Sequence, residues 1–139
     1  MVFDLDRFVE AQEGMYEIAL REIRAGKKHS HWMWFVFPQL KGLGKTGMSN
    51  LYGIDGVEEA MAYLAHPVLG ARLREITEAL LQQEQGSAEE IFGFPDVLKL
   101  RSCMTLFREA AEERALFQQV LDRFYQGKPD GRTLSMLGK

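Results

Sequence analysis

The chain has 139 residues, of which 46% are hydrophobic, and a formal net charge of −3. This length suits a single domain, residues 1–139, and the hydrophobic fraction is too high for a disordered chain. The acidic balance predicts no binding to nucleic acid, and no apolar stretch approaches the length of a membrane span.

The first third of the chain predicts a long helix. Apolar residues recur at three- and four-residue spacing over residues 5–25, which is typical of one buried helical face. Asp4 can cap the start of this helix and Gly26 can end it. Residues 40–53 contain four of the thirteen glycines and show no apolar period. They predict a long loop, and such loops in small domains often carry function.

The remainder of the chain predicts four more helices. A capping box at Asp55 opens a short helix that runs to residue 65, and a longer helix follows from Pro67 to about residue 85. Ser87 begins a second capping box before a brief turn. Asp96 is expected to cap a helix over residues 97–111, and another helix covers residues 113–126. Residues 129–131 are expected to form a turn.

The segment Trp32–Phe37 is apolar at every position, so periodicity alone does not distinguish a buried helix from a buried strand. We predict a central helix because no second strand is available to pair with it. The fold class that follows is mainly α: a compact multihelical single domain with buried central helices.

Residues 27–39 are the first candidate site, because they combine two histidines with both tryptophans. Trp32 and Trp34 could stack on a planar ring while Gln39 binds its polar edge. His31 could assist a leaving group as an acid or base. The alternative is that the aromatic side chains form core and the histidines only cap a helix.

The glycine loop invites comparison with a phosphate-binding P-loop, but the spacing fails because Gln39 occupies the position of the first glycine. Lys45, with neighbouring backbone N–H groups, could still bind an anion, and Tyr52 could bind a polar edge. The histidines and Cys103 lack the spacing of zinc ligands, so no metal is expected and no cofactor is predicted.

Asp96 and Lys99 form the second candidate site, because residues three apart share one side of a helix. A cap is the ordinary role of such an aspartate. A carboxylate beside a cation could also activate water or stabilise a cation-like transition state in glycoside hydrolysis.

The chain starts without the basic and apolar regions of a signal peptide, and one cysteine cannot form an internal disulfide. Both features predict a soluble cytoplasmic protein. The sequence leaves its oligomeric state open.

Several uncommon strings give the chain a specific resemblance to a known family. It closely resembles the microbial family catalogued as domain of unknown function 1810, with matching strings at residues 30–39, 42–44, 52–54, 62–73, 92–100 and 102–107. The resemblance implies a multihelical fold and no established activity. Its recurrent positions fall on His31, Trp34, Pro38, Gln39, Tyr52, His66, Asp96 and Lys99. Thr46 stands where the family pattern has serine, a change that keeps the hydroxyl.

A more distant similarity is to the YbiA-like N-glycosidases, which act on ribosyl compounds, although their catalytic residues have no individual match here. The resulting hypothesis is a small-molecule-binding domain, with Asp96 and His31 as catalytic residues if it is a hydrolase. The ligand would be a nucleotide- or ribose-containing molecule. The alternative is a non-catalytic protein-interaction or ligand-sensing module.

Overall fold

The computed structural model of the chain describes residues 3–139, which form ten helices. In chain order these are α1 (Asp6–Gln12), α2 (Tyr16–Ala25), α3 (Met33–Val36), α4 (Gly47–Leu51), α5 (Val57–Ala65), α6 (Leu69–Leu81), α7 (Ala88–Phe92), α8 (Asp96–Ala110), α9 (Arg114–Tyr125) and α10 (Gly131–Met136). An isolated parallel bridge joins Leu40 and Ile54. The predicted mainly α fold is confirmed. Across residues 3–139, every helix is too short or too polar to cross a bilayer.

The predicted helix over residues 5–25 is interrupted near Gly14. α1 ends at Gln12 and α2 begins at Tyr16, because Glu13 leaves the helical conformation and Gly14 takes a φ of 73°. The apolar residues still lie on the predicted face, and its buried members are Phe8, Tyr16, Ala19 and Ile23. Gly26 ends α2 with a φ of 81°, as predicted.

Helix α8 lies at the centre of the core. It packs against α5, α7, α9 and α10, while α6 packs against α2, α5 and α9. Six successive side chains of α8, Ser102–Phe107, are buried, so this part of the helix is surrounded by protein. The Trp32–Phe37 segment also forms the predicted helix, because α3 covers its middle and is largely buried. The predicted buried central helices are therefore confirmed.

The predicted loop at residues 40–53 contains a helix that the sequence pattern did not reveal. Thr46 caps α4, since its Oγ1 accepts a hydrogen bond from the backbone N–H of Ser49 at 3.1 Å. The ends of the loop are joined by backbone hydrogen bonds: Lys41 donates to Ile54 at 2.7 Å, and Ile54 donates to Gln39 at 2.9 Å. These bonds fix the backbone at Gln39, whose side chain lines the cavity described below.

The two predicted capping boxes have different outcomes. The box at Asp55 is wrong, because the N-cap of α5 is Gly56 and makes no side-chain bond. The backbone N–H of Asp55 instead donates to Glu59 at 2.7 Å. The box at Ser87 is present, with Glu90 as its second member, and it opens helix α7 where only a turn was predicted.

Candidate functional site

The two stretches that the sequence singled out meet at one cavity of about 290 Å³. Trp34 and Gln39 line it from the first stretch, and Pro95, Leu98 and Lys99 line it from the second. We call it the α8 cavity, because the first turns of α8 form one of its walls. The chain segments that sequence reasoning selected separately are thus adjacent in space.

Two further segments complete the α8 cavity. Leu43 and Gly44 of the glycine loop lie on one side. The C-terminal segment contributes Asp130 and Arg132, which face the cavity together with residues Arg101 and Ser102 of α8. The turn predicted at residues 129–131 is therefore the start of α10, and it brings polar side chains to the site.

Asp96 forms ion pairs with two lysines at the edge of the α8 cavity. Lys28 Nζ lies 2.7 Å from its Oδ2, and Lys99 Nζ lies 3.0 Å from its Oδ1. Lys99 Nζ also lies 4.4 Å from the centroid of the Trp34 ring, a cation–π contact. This arrangement fixes the Lys99 ammonium between a carboxylate and an indole, with little freedom to move.

The role predicted for Asp96 as a helix cap is wrong. Asp96 is the first residue of α8, the N-cap is Pro95, and no side chain caps this end. Burial alone would raise the pKa of Asp96, but the hydrogen bonds and charges of Lys28 and Lys99 outweigh it and hold the pKa below its ordinary value. Asp96 is therefore an ionised carboxylate whose two oxygens are both engaged by lysines.

Gln39 presents an unbonded amide to the α8 cavity. Its residue surface is only 8% exposed, yet its side chain forms no hydrogen bond with any residue in 3–139. Its backbone carbonyl is bonded to Ile54, so the residue cannot turn away freely. No buried side-chain nitrogen or oxygen in residues 3–139 lacks a hydrogen-bond partner, so the unbonded Gln39 amide reaches solvent in the cavity. The Gln39 amide is thus available to a bound molecule as both donor and acceptor.

The charged lining of the α8 cavity is mainly cationic. Lys99, Arg101 and Arg132 line it, against the single carboxylate of Asp130. Arg101 is anchored by hydrogen bonds of 2.9 Å from Nε and Nη2 to the carbonyls of residues 128 and 129. Arg132 Nη1 donates to the carbonyl of Leu43 at 3.3 Å, joining the C-terminal segment to the glycine loop. The lining favours an anion.

Two residues predicted to bind a ligand, Trp32 and Tyr52, lie outside the lining of the α8 cavity. Trp32 is fully buried, and its Nε1 donates a hydrogen bond to Glu22 at 2.8 Å. Its ring packs beside the rings of Phe37 and Phe92, so no ligand can reach it without unfolding. Tyr52 packs its ring against core phenylalanines, at 5.4 Å from Phe35 in one case, and does not line the α8 cavity.

His31 and Lys45 are exposed and lie outside the lining of the α8 cavity. The sequence placed them near the site because they neighbour Trp32 and Gly44. Neighbouring residues in a chain point in different directions, however. Of residues 27–39 only Trp34 and Gln39 line the cavity, and of the glycine loop only Leu43 and Gly44 do. The predicted acid–base pair of His31 and Asp96 is not assembled at this cavity.

Sequence reasoning missed Arg101, Ser102, Asp130 and Arg132. The first two lie within the α8 segment, on a face that the apolar pattern did not mark as a site. The other two reach the cavity only through tertiary contacts, such as the bond between Arg132 and Leu43, which are 89 residues apart. No local pattern at residues 129–132 could have indicated this, because Pro, Asp and Gly there are ordinary turn residues.

A second depression, of about 490 Å³, lies among Phe3, Asp55, Gly56, Glu58 and Glu59. The carboxylate of Glu59 is already paired with Arg7 at 2.9 Å and accepts the N–H of Asp55 at 2.7 Å. The buried carboxylate of Glu59 is thus already bonded, and the remaining surface is acidic. Such a surface would repel the predicted anion. The smaller α8 cavity is the better candidate because its lining is mainly cationic and includes the unbonded amide of Gln39.

Metal and thiol chemistry receive no support from residues 3–139. This part of the chain contains no group of three or more His, Cys, Asp or Glu side chains placed to hold a metal ion. Cys103 is fully buried, and burial raises the pKa of its thiol well above its ordinary value. Cys103 is therefore a neutral core thiol.

Comparisons with known proteins agree with this fold. A family model described as "Protein of unknown function (DUF1810)" matches residues 2–137. The crystal structure of the conserved hypothetical protein Rv1873 from Mycobacterium tuberculosis has a TM-score of 0.96 and 50% sequence identity to this chain. The match covers 99% of this chain and 98% of that one. A search of curated proteins found no match.

Proposed function

The chain belongs to the DUF1810 family of proteins of unknown function, and from the α8 cavity we propose that it binds a small phosphate-bearing ribosyl or nucleotide-like molecule. The observation that carries this proposal is the Gln39 side-chain amide, which forms no hydrogen bond within residues 3–139 and lines a cavity together with three cations. This amide reaches solvent in the cavity, and a hydrogen bond that it forms with a ligand contributes about 0.5–1.5 kcal/mol.

The other features of the lining support an anion with a flat or apolar part. The cavity lining has three positive charges, on Lys99, Arg101 and Arg132, and one negative charge, on Asp130. This excess of positive charge would attract a phosphate. Trp34, Pro95 and Leu98 supply apolar surface beside these charges. The volume of about 290 Å³ is at the lower end for ligand sites, which favours a mononucleotide or a sugar phosphate over a dinucleotide.

We propose binding, as in a ligand-sensing module, rather than hydrolysis. General acid–base catalysis requires a group within reach of the proton that it transfers. His31 lies outside the lining, and both oxygens of Asp96 are held by lysines. These positions favour Asp96 as a positioning residue, which keeps Lys99 beside Trp34 through its ion pair.

Isothermal titration calorimetry and thermal unfolding with AMP, ribose 5-phosphate, ADP-ribose, a phosphorylated flavin precursor and uncharged adenosine test the proposal. We expect AMP or ribose 5-phosphate to bind and adenosine to bind far more weakly. A ligand at a hundred times its dissociation constant should stabilise the fold by about 2.7 kcal/mol. No binding by any phosphate-bearing compound in the panel would overturn the proposal.

A pair of variants locates the binding site. Lys99→Met removes a cation from the lining but leaves the ion pair between Lys28 and Asp96, and we expect affinity to fall about tenfold or more. Arg21→Met is the matched control, because Arg21 is exposed on α2 and forms no ion pair in residues 3–139. Equal loss in both variants would place binding elsewhere. Chromatography of each compound after incubation would reveal hydrolysis, and turnover would contradict a binding-only function.

A protein-interaction module is the second candidate, and the exposure of two apolar side chains favours it. Phe94 is 75% exposed and Leu98 is 51% exposed, four residues apart at the start of α8. Phe94→Ser distinguishes the two functions. If affinity for AMP falls while that for ribose 5-phosphate does not, Phe94 contacts the base and the surface belongs to the ligand site. If both are unchanged, Phe94 lies outside the ligand site and is free for a protein partner.

A further inference from the structure

The carboxylate of Asp130 is the one acidic group lining the α8 cavity, and only one of its two oxygens is hydrogen-bonded within the described residues. Its Oδ2 accepts hydrogen bonds from Thr133 N at 3.0 Å, Thr133 Oγ1 at 2.5 Å and Ser102 Oγ at 3.2 Å. Its Oδ1 forms no hydrogen bond with any residue in the described part of the chain. No buried side-chain oxygen in that part lacks a partner, so this unbonded Oδ1 is accessible.

The position of Asp130 is rigid for three reasons. Its backbone N–H donates to Thr105 Oγ1 of α8 at 2.8 Å. Its Oδ2 caps α10 through Thr133. The two carbonyls that precede it, at residues 128 and 129, accept the guanidinium of Arg101. The Arg101 guanidinium and the Asp130 carboxylate are therefore both held at the cavity, and they form no salt bridge with each other.

A site for an anion alone has no use for this carboxylate, because its charge repels a phosphate. A free carboxylate oxygen can accept hydrogen bonds but cannot donate them. It therefore suits a ligand that carries hydroxyl donors as well as a negative charge. Acidic side chains recognise ribose hydroxyls in this way in dinucleotide-binding folds. The Gln39 amide, which can donate and accept, adds a neutral contact for the same kind of molecule.

We infer that Asp130 makes the α8 cavity selective for ligands with free sugar hydroxyls, so that ribosyl phosphates bind in preference to their deoxy counterparts and to phosphate alone. This inference rests on the proposed function. It adds that the hydroxyls are read by Asp130 Oδ1 while Lys99, Arg101 and Arg132 meet the phosphate.

The test compares AMP, 2′-deoxy-AMP, 2′,3′-dideoxy-AMP and inorganic phosphate by calorimetry on the wild-type protein. A hydrogen bond to a charged group corresponds to about tenfold or more in affinity. We expect removal of the hydroxyls to weaken binding by at least that factor. Equal binding of all three nucleotides would overturn the inference and leave the proposed function standing. Binding of none of the four would contradict the inference, and the proposed function would fail with it if ribose 5-phosphate and the other phosphate-bearing compounds of the first panel did not bind either.

Asp130→Ser supplies a second, independent readout. Serine keeps the N-cap of α10, since Ser and Asp cap equally well, but removes the free oxygen and the charge. We expect affinity for AMP to fall toward that of dideoxy-AMP, and affinity for inorganic phosphate to rise. A merely structural role would lower both affinities. Asp6→Ser is the control, because Asp6 is exposed on α1 and outside the cavity lining. If Asp130→Ser fails to fold, the wild-type comparison still decides.

Discussion

Glu22 offers the sharpest test of how the fold holds the segment before α3. Its Oε1 accepts hydrogen bonds from His29 N at 2.8 Å, Ser30 N at 3.0 Å and Trp32 Nε1 at 2.8 Å, and its Oε2 accepts Ser30 Oγ at 2.6 Å. Burial alone would raise the pKa of Glu22, but these four bonds outweigh it and lower the pKa from 4.5 to about 2. One carboxylate therefore organises residues 29–32.

We expect Glu22→Gln to lower the free energy of unfolding at pH 7 by about 1–2 kcal/mol. The gap between the two pKa values corresponds to at most about 3.4 kcal/mol, and solvent screening of this partly exposed group reduces it. A glutamine can replace some of the bonds through its amide oxygen, but it loses the charge that strengthens them. Urea unfolding followed by tryptophan fluorescence measures the difference.

The pH dependence gives a second measurement with a fixed sign. The pKa of Glu22 is lower in the folded protein, so its contribution is present above about pH 4.5 and is lost as the pH falls through 2. Between these values the wild-type stability should fall more steeply than that of Glu22→Gln. Glu17→Gln is the control, because Glu17 is exposed on the same helix. Parallel acid limbs for wild type and Glu22→Gln would refute this reasoning.

Three further substitutions test helix junctions, each by thermal or urea unfolding. Gly70→Ala should cost more than about 2 kcal/mol despite the higher helix propensity of alanine, because a Cβ there would lie 2.1 Å from the carbonyl oxygen of Leu64; a stabilised variant would contradict this. His66→Ala should cost about 1 kcal/mol by removing an Nδ1 that accepts two backbone N–H groups at 3.2 Å, and His66→Asn should restore most of it. Ser87→Ala should cost about 1 kcal/mol, since the capping box with Glu90 is lost; an unchanged midpoint would show that this cap contributes little.

The sequence pattern predicted most helices because their buried faces repeat at helical spacing. It failed at Gly14, where one backbone conformation breaks a continuous apolar face, and at Asp55, where the helix begins one residue later and the backbone N–H of Asp55 donates to Glu59. The same motif is present at Ser87, where both bonds of the capping box form. Local patterns state which bonds are available, and tertiary packing selects among them.

For the candidate site, sequence reasoning selected segments that meet at the α8 cavity, but only three of the eight predicted site residues line it. Trp34, Gln39 and Lys99 line the α8 cavity, whereas Trp32 is sealed in the core beside Phe37. Composition cannot separate two tryptophans that are two residues apart. Their opposite environments follow from the short helix α3, which turns one indole toward Glu22 and the other toward Lys99.

What the sequence by itself determined is the helical fold, the family and the two segments that meet at the candidate site, because these depend on residues near one another along the chain. Only the tertiary structure decided which side chains meet. Asp96 became an ion-pair partner of Lys28, and Asp130 came to the cavity from the far end of the chain. Contacts between distant residues arise from packing around α8, and no local spacing encodes them.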